Sequence, residues 1–267
     1  MVEAVPLVAE RPRPGVLRLT INDAARHNPL SSELFRAMEA QLRGLGVDTR
    51  AVVLTGAGEA VFAAGADLSE LSQANREGLG GGFGEAMEAA QAAMEGSDAV
   101  VIARIQGHCL GAGYQLALAC DLRVAVDDAR LGVPASRFGL LPGWVHHRRM
   151  LQQLGPQVTR ELMFTARSFA GDAALRRGLA DYVCPRGELD ATVDHLLDDI
   201  LAGAPLTVRN SKRITNTLLR VDARDSEMDD ATVAELDRLA AECHASEDVA
   251  EGLRAFFERR DPRFAGR

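Results

Sequence analysis

Hydrophobic and polar positions alternate along Val16-Leu17-Arg18-Leu19-Thr20-Ile21, a segment rich in branched residues that predicts a half-buried strand closed by a turn at Asn22-Asp23. Ser31-Ser32-Glu33 then offers an N-cap and an early acid. Behind it Leu34, Phe35, Met38 and Leu42 recur at helical spacing, so an amphipathic helix is expected there. Ala51-Val52-Val53-Leu54-Thr55 is apolar almost without interruption, the pattern of a strand covered on both faces of a layered sheet. Further strands are expected at 99–105 and 121–126, with helices at 85–96 and 114–120 and a loop through Phe62–Leu68. From about 148 onward the pattern turns helical, at 149–154, 158–165, 189–201, 233–245 and 249–258.

Glycines punctuate this pattern. Gly56 and Gly58 end the 51–55 strand, and Gly107 with the Gly111-Ala112-Gly113 turn follows the 99–105 strand. Residues 75–84 hold Gly78, Gly80, Gly81, Gly82 and Gly84, a composition expected of a mobile loop. Strands alternating with helices, each strand closing in a tight glycine turn, indicate an α/β layered fold with mainly parallel strands. Residues 1–200 read as the core and 201–267 as a helical C-terminal module.

Composition narrows the function. The chain has 267 residues, 47% of them hydrophobic, enough to bury a core without staples. Its formal charge is -8, and no basic run occurs, which argues against a nucleic-acid partner. Lys212 is the only lysine, so lysine chemistry has little to draw on. Cys109, Cys120, Cys184 and Cys243 lack metal-site or disulfide-framework spacing, so neither a metal nor a disulfide is expected. The first residues, Met1 to Pro6, carry an early acid and no basic-then-apolar pattern, and no run of about 18 uncharged apolar residues appears. A cytoplasmic protein without a membrane span is expected.

Four segments carry a resemblance to the enoyl-CoA hydratase/isomerase (crotonase) superfamily, in order along nearly the whole chain. Arg26-His27-Asn28-Pro29-Leu30 resembles its early basic-x-Asn-Ala-Leu turn, and Phe62-Ala63-Ala64-Gly65-Ala66-Asp67-Leu68 its Phe-x-Ala-Gly-Ala-Asp-Leu loop. Ile105-Gln106-Gly107 through Leu110-Gly111-Ala112-Gly113 resembles its glycine-rich helix entry, and Gly252 to Arg260 its C-terminal helix signature. The resemblance implies a crotonase-like ββα spiral core, an acyl-CoA thioester as ligand in fatty-acid-type metabolism, no further cofactor, and a homotrimer or homohexamer. It places two oxyanion-stabilising N–H groups at Ala66 and Ala112. CoA and substrate contacts would come from Arg26, Pro29, Leu30, Ala64, Gly65, Asp67 and Leu68, and from Gly111, Pro134, Gly143 and Trp144. Arg259, in place of a family lysine, would reach CoA phosphate from a neighbouring subunit.

The chain departs from the family where the acids belong. The two hydratase glutamates correspond to Gln115 and Ala135, and the aspartate of related isomerases and dehalogenases falls on or near Gly143. An amide does not exchange protons at neutral pH. Efficient hydration is therefore not expected. His146 and His147 lie nearby and titrate in the useful range; each reads either as a proton-transfer group or as an ordinary hydrogen-bonded histidine, the commoner role. Trp144 is expected to pack. Two functions stay open: an acyl-CoA enzyme that stabilises a thioester enolate, and a non-catalytic acyl-CoA carrier or sensor.

Overall fold

The computed structural model describes residues 7–71, 82–220 and 229–267. In chain order the strands are β1 (Leu7–Arg13), β2 (Val16–Ile21), β3 (Ala51–Gly56), β4 (Val61–Ala63), β5 (Val100–Ile105), β6 (His108–Leu110), β7 (Leu122–Val126), β8 (Leu131–Gly132), β9 (Ser168–Phe169) and β10 (Tyr182–Cys184). The helices are α1 (Ser32–Arg43), α2 (Gly82–Gly96), α3 (Ala112–Ala117), α4 (Trp144–Thr165), α5 (Gly171–Arg176), α6 (Leu189–Ala202), α7 (Pro205–Arg220), α8 (Asp230–His244) and α9 (Glu247–Glu258).

The continuous apolar runs form the centre of a six-stranded sheet ordered β1-β2-β3-β5-β7-β10, parallel except for the β1–β2 hairpin at its edge. Every residue of β3 is buried, as its unbroken apolar sequence requires. Shorter strands form a second sheet ordered β4-β6-β8-β9. The chain visits the two sheets in turn: β3, β4, α2; then β5, β6, α3; then β7, β8, α4. Order is the same in both sheets, and the β4–β6–β8 pairings are also parallel, so three ββα turns stack as a layered spiral. Successive turns approach closely. At Gly107 a Cβ would stand 2.2 Å from the carbonyl carbon of Ala60, a contact only glycine permits.

Ser31 caps α1 by accepting the Leu34 N–H at 3.2 Å, and Leu34, Phe35, Met38 and Leu42 are buried, as their spacing predicts. Several expectations need correction. β1 is exposed along most of its length and carries no apolar face, so the pattern gave it no signal. β4 (Val61–Ala63) takes up the first two residues of the segment expected to be a loop. Gly82 to Gly84, expected in a mobile loop, open α2, while residues 75–81 of that loop lie outside the described residues. α4 starts at Trp144 and bends at Gly155 (φ 72), just before Pro156, which is where the pattern separates 149–154 from 158–165.

α7 falls in the module expected to be helical, although no separate helix was expected there, and it fastens the C-terminal helices to the core. The ammonium of Lys212 is buried, donating to Met94 O at 2.9 Å and Ala99 O at 2.7 Å and pairing with Asp121 at 2.8 Å. The single lysine is thus structural. On α9, Phe256 and Phe257 meet edge to face with centroids 5.6 Å apart, yet they remain 76% and 80% exposed. All four cysteines are free thiols, and burial pushes Cys109 and Cys120 upward, Cys120 to about 12. Among the described residues no group of side chains could hold a metal, and no helix is long and apolar enough to cross a membrane.

Candidate functional site

The Arg26–Leu30 segment acts as a clamp. Asn28 is fully buried; its Oδ1 accepts the Asp23 N–H at 3.0 Å, and its Nδ2 donates to Ala57 O at 3.0 Å and Val61 O at 2.8 Å. Those bonds hold the turn against the start of β4. The next segment is tied by its main chain: Ala64 N–H to His27 O, Leu30 N–H to Gly65 O, and Asp67 N–H to Leu30 O. In this parallel bridge the bonds to Leu30 use the residues on either side of Ala66, so the N–H of Ala66 itself points away from Leu30. Leu30 is wholly buried and does not line the cavity; its part is to hold this loop.

Opposite stands the helix entry. Gly111 adopts φ 57 and ψ -125, a backbone suited to glycine, and Ala112 is the first residue of α3. Its N–H has no intrahelical acceptor. Gly65 (φ 130) and Gly111 abut: a Cβ on Gly65 would lie 3.9 Å from Ala112 N, and one on Gly111 would lie 3.7 Å from Gly65 Cα. Among the described residues, the N–H groups of Ala66 and Ala112 have no hydrogen-bond acceptor. Both residues line one cavity of about 780 Å³, within the usual size range of small-molecule sites.

Most of the expected positions meet there. Arg26, Pro29, Ala64, Gly65, Asp67 and Leu68 line it from the first two segments, Gly111 and Gln115 from the helix entry, and Pro134, Ala135, Gly143 and His146 from the stretch that leads into α4. Asp67 caps the turn after it, its Oδ1 accepting the Ser69 N–H at 2.9 Å, and it pairs with Arg26 at 3.4 Å. Besides Leu30, three expected positions do not line the cavity. His147 turns its Nδ1 to Gly143 O at 3.2 Å. Arg259 closes the far end of α9 in a left-handed conformation. Trp144, expected to pack, is 70% exposed, with the Arg148 guanidinium 5.3 Å above its ring; at the first turn of α4 it faces solvent.

His146 differs from its neighbour. It is buried, its Nδ1 has no partner, and it faces the cavity. Burial lowers its pKa to about 4, with Arg149 and then His147 adding to the effect, so the ring is neutral at pH 7. Ala135 opens a short 3-10 turn and presents only a methyl group. Gln115 is buried; its main-chain carbonyl accepts Gln91 Nε2 at 2.9 Å, while its side-chain amide has no partner among the described residues. Sequence reasoning missed the contribution of α2. Phe83, Glu85, Met87 and Glu88 line the cavity from that helix. A glutamate beside the buried Ala86, Met87, Ala90 and Gln91 stripe was the available signal for Glu88.

A two-sheet ββα spiral with a cavity lined by the glycine turns at the mouth of a helix is the architecture of this α/β protein. The model of the enoyl-CoA hydratase/isomerase family matches residues 11–267, and the chain belongs to that family. It is 33% identical over 244 residues to the short-chain-enoyl-CoA hydratase of Clostridium acetobutylicum, covering 91% of each chain. It is 34% identical to enoyl-CoA hydratase domain-containing protein 2, mitochondrial, of Bos taurus, covering 96% of this chain and 86% of that protein. The structure of enoyl-CoA hydratase from Bacillus anthracis superposes with a TM-score of 0.89 at 29% identity, covering 98% of this chain and all of that one.

Proposed function

We propose that the protein binds an acyl-CoA thioester with the thioester oxygen between the N–H groups of Ala66 and Ala112, and that it stabilises the enolate formed there without acting as an efficient hydratase. The observation that carries the reading is the pair of unaccepted N–H groups on abutting glycine turns, in two residues that line one cavity. Preorganised donors of this kind lower the energy of developing negative charge on oxygen. The second donor gains from its place at a helix N-terminus. That relatives are named enoyl-CoA hydratases supports the ligand class.

Hydration itself is not carried over. Gln115 and Ala135 stand where the resemblance puts the two acids, and neither can move a proton. A positioned acid or base contributes ~10²–10⁴ in rate, so their joint loss reduces water addition to near background. The same substitutions support a second reading, an acyl-CoA carrier or sensor without chemistry. Crotonyl-CoA hydration by the purified protein tests the first statement: near-background turnover is expected, with measurable turnover in a folded Gln115→Glu/Ala135→Glu variant. Robust hydration by the unmodified protein would overturn it.

A further inference from the structure

Beside Gly143 the cavity is not empty of carboxylates. At Gly143 a Cβ would lie 3.5 Å from Oε1 of Glu88 and 3.8 Å from Cδ2 of His146. The carboxylate of Glu88 therefore reaches, from α2, the space that a side chain at Gly143 would enter from α4. Among the described residues Glu88 makes no hydrogen bond or ion pair, although it is half-buried and lines the cavity with Gln115. His146, beside it, is 5% exposed and keeps an unpartnered Nδ1.

The placement is fixed from below. One helical turn past Glu88, the buried Gln91 donates to Gln115 O at 2.9 Å and accepts from Arg149 at 2.8 Å; Arg149 lies one turn past His146 and also bonds Glu95 at 2.8 Å. This network joins α2, α3 and α4 on the rows of residues that carry Glu88, Gln115 and His146. A side chain held by such a supporting layer is preorganised, and leaving a carboxylate unpaired inside it gains no stability. The other cavity carboxylates differ: Asp67 is spent on a turn and on Arg26, and Glu85 is exposed.

We infer that Glu88 is the proton-transfer group of this site, and that of the two reactions in the family's name it serves isomerisation, the allylic shift of a double bond in a 3-enoyl thioester. The inference rests on the acyl-CoA reading above. Glu88 takes a proton from C2; the electrons of that C–H bond pass into the dienolate, whose charge rests on the thioester oxygen at Ala66 and Ala112. The resulting carboxylic acid returns a proton to C4, and the electrons of the dienolate close the C2–C3 double bond. Atoms and charge balance with one carboxylate and no water. Addition of water would need a second proton-transfer group, which Gln115 and Ala135 do not supply.

The test uses the full-length protein with a 3-enoyl-CoA, in D2O and in H2O, and measures binding and turnover separately. The wild type is expected to form the 2-enoyl thioester, with deuterium entering C2 of remaining substrate and C4 of product. Glu88→Gln is isosteric and breaks no bond; it is expected to lose at least ~100-fold in turnover while its dissociation constant for the substrate stays within about threefold. Binding without turnover or exchange in the wild type would overturn the inference and leave the acyl-CoA reading standing. So would a folded Glu88→Gln variant with wild-type turnover. Failure to bind any acyl-CoA would remove both.

Discussion

At the end of the cavity proposed to take the thioester, the working groups are main-chain N–H donors; at the end proposed to take the acyl chain, they are side chains. The first end is set by Gly65, Gly111 and the Asn28 clamp, and its geometry follows from the same turns that stack the spiral. The second is set by Gln115, Ala135, His146 and Glu88, brought from α3, a 3-10 turn, α4 and α2. Main-chain donors cannot be exchanged without altering the fold, whereas side chains on a fixed scaffold can. On the function proposed above, the difference accounts for a carbonyl site kept on the scaffold while the chemistry beside it changes.

Adding bulk at the main-chain end should have the largest effect. At Gly113 a Cβ would stand 2.5 Å from Ala63 O and 2.8 Å from Ala63 Cβ, so the two turns must separate to admit one. Gly113→Val is expected to cost about 3 kcal/mol or more in urea unfolding, the upper range for overpacking, and to abolish acyl-CoA binding. A stable variant with unchanged affinity would break the link between stacking and site.

The side-chain end should respond to pH before it responds to bulk. His146 has a folded pKa of about 4, below the usual 6.5. The folded state therefore binds fewer protons than the unfolded one between those values, and the fold weakens as pH falls through that window. Stability is unaffected by this group above about pH 6.5. At ~1.4 kcal/mol per unit, the loss by pH 4 is about 2–3 kcal/mol. Because other groups titrate there too, the readout is a difference: His146→Gln should lose less stability than the wild type from pH 6.5 to 4. Parallel profiles would show that the ring is not held neutral by burial.

The two ends were unequally legible in the sequence. Val52 to Leu54, Val101 to Ile105 and the glycine turns announce buried strands and close approaches, because burial and glycine each leave a one-residue signature. The donor positions proposed at Ala66 and Ala112 came from the resemblance to the family, whose motifs the glycines around them carry. Strands as short as β6 and β8, with three and two residues, carry no period, and β1 carries no apolar face. α7 escaped because a proline opens it and its buried polar residues, Asn210 and Lys212, do not read as a core stripe. Glu88 escaped for a different reason. The buried stripe beside it marks Glu88 as partly inward, but its nearness to Gly143, which caps α4, is a relation between residues far apart in sequence that the packing of α2 beside α4 reveals.

The central claim, that two main-chain donors hold a thioester oxygen, is tested most directly by calorimetry with butyryl-CoA against S-butyl-CoA, its thioether analogue without the carbonyl. Each neutral hydrogen bond is worth ~0.5–1.5 kcal/mol net, so the thioester should bind about tenfold more tightly. In Ala112→Pro, which removes one N–H at a helix position where proline is tolerated, that preference should shrink to about threefold. Equal affinity of the wild type for the two ligands would contradict the account.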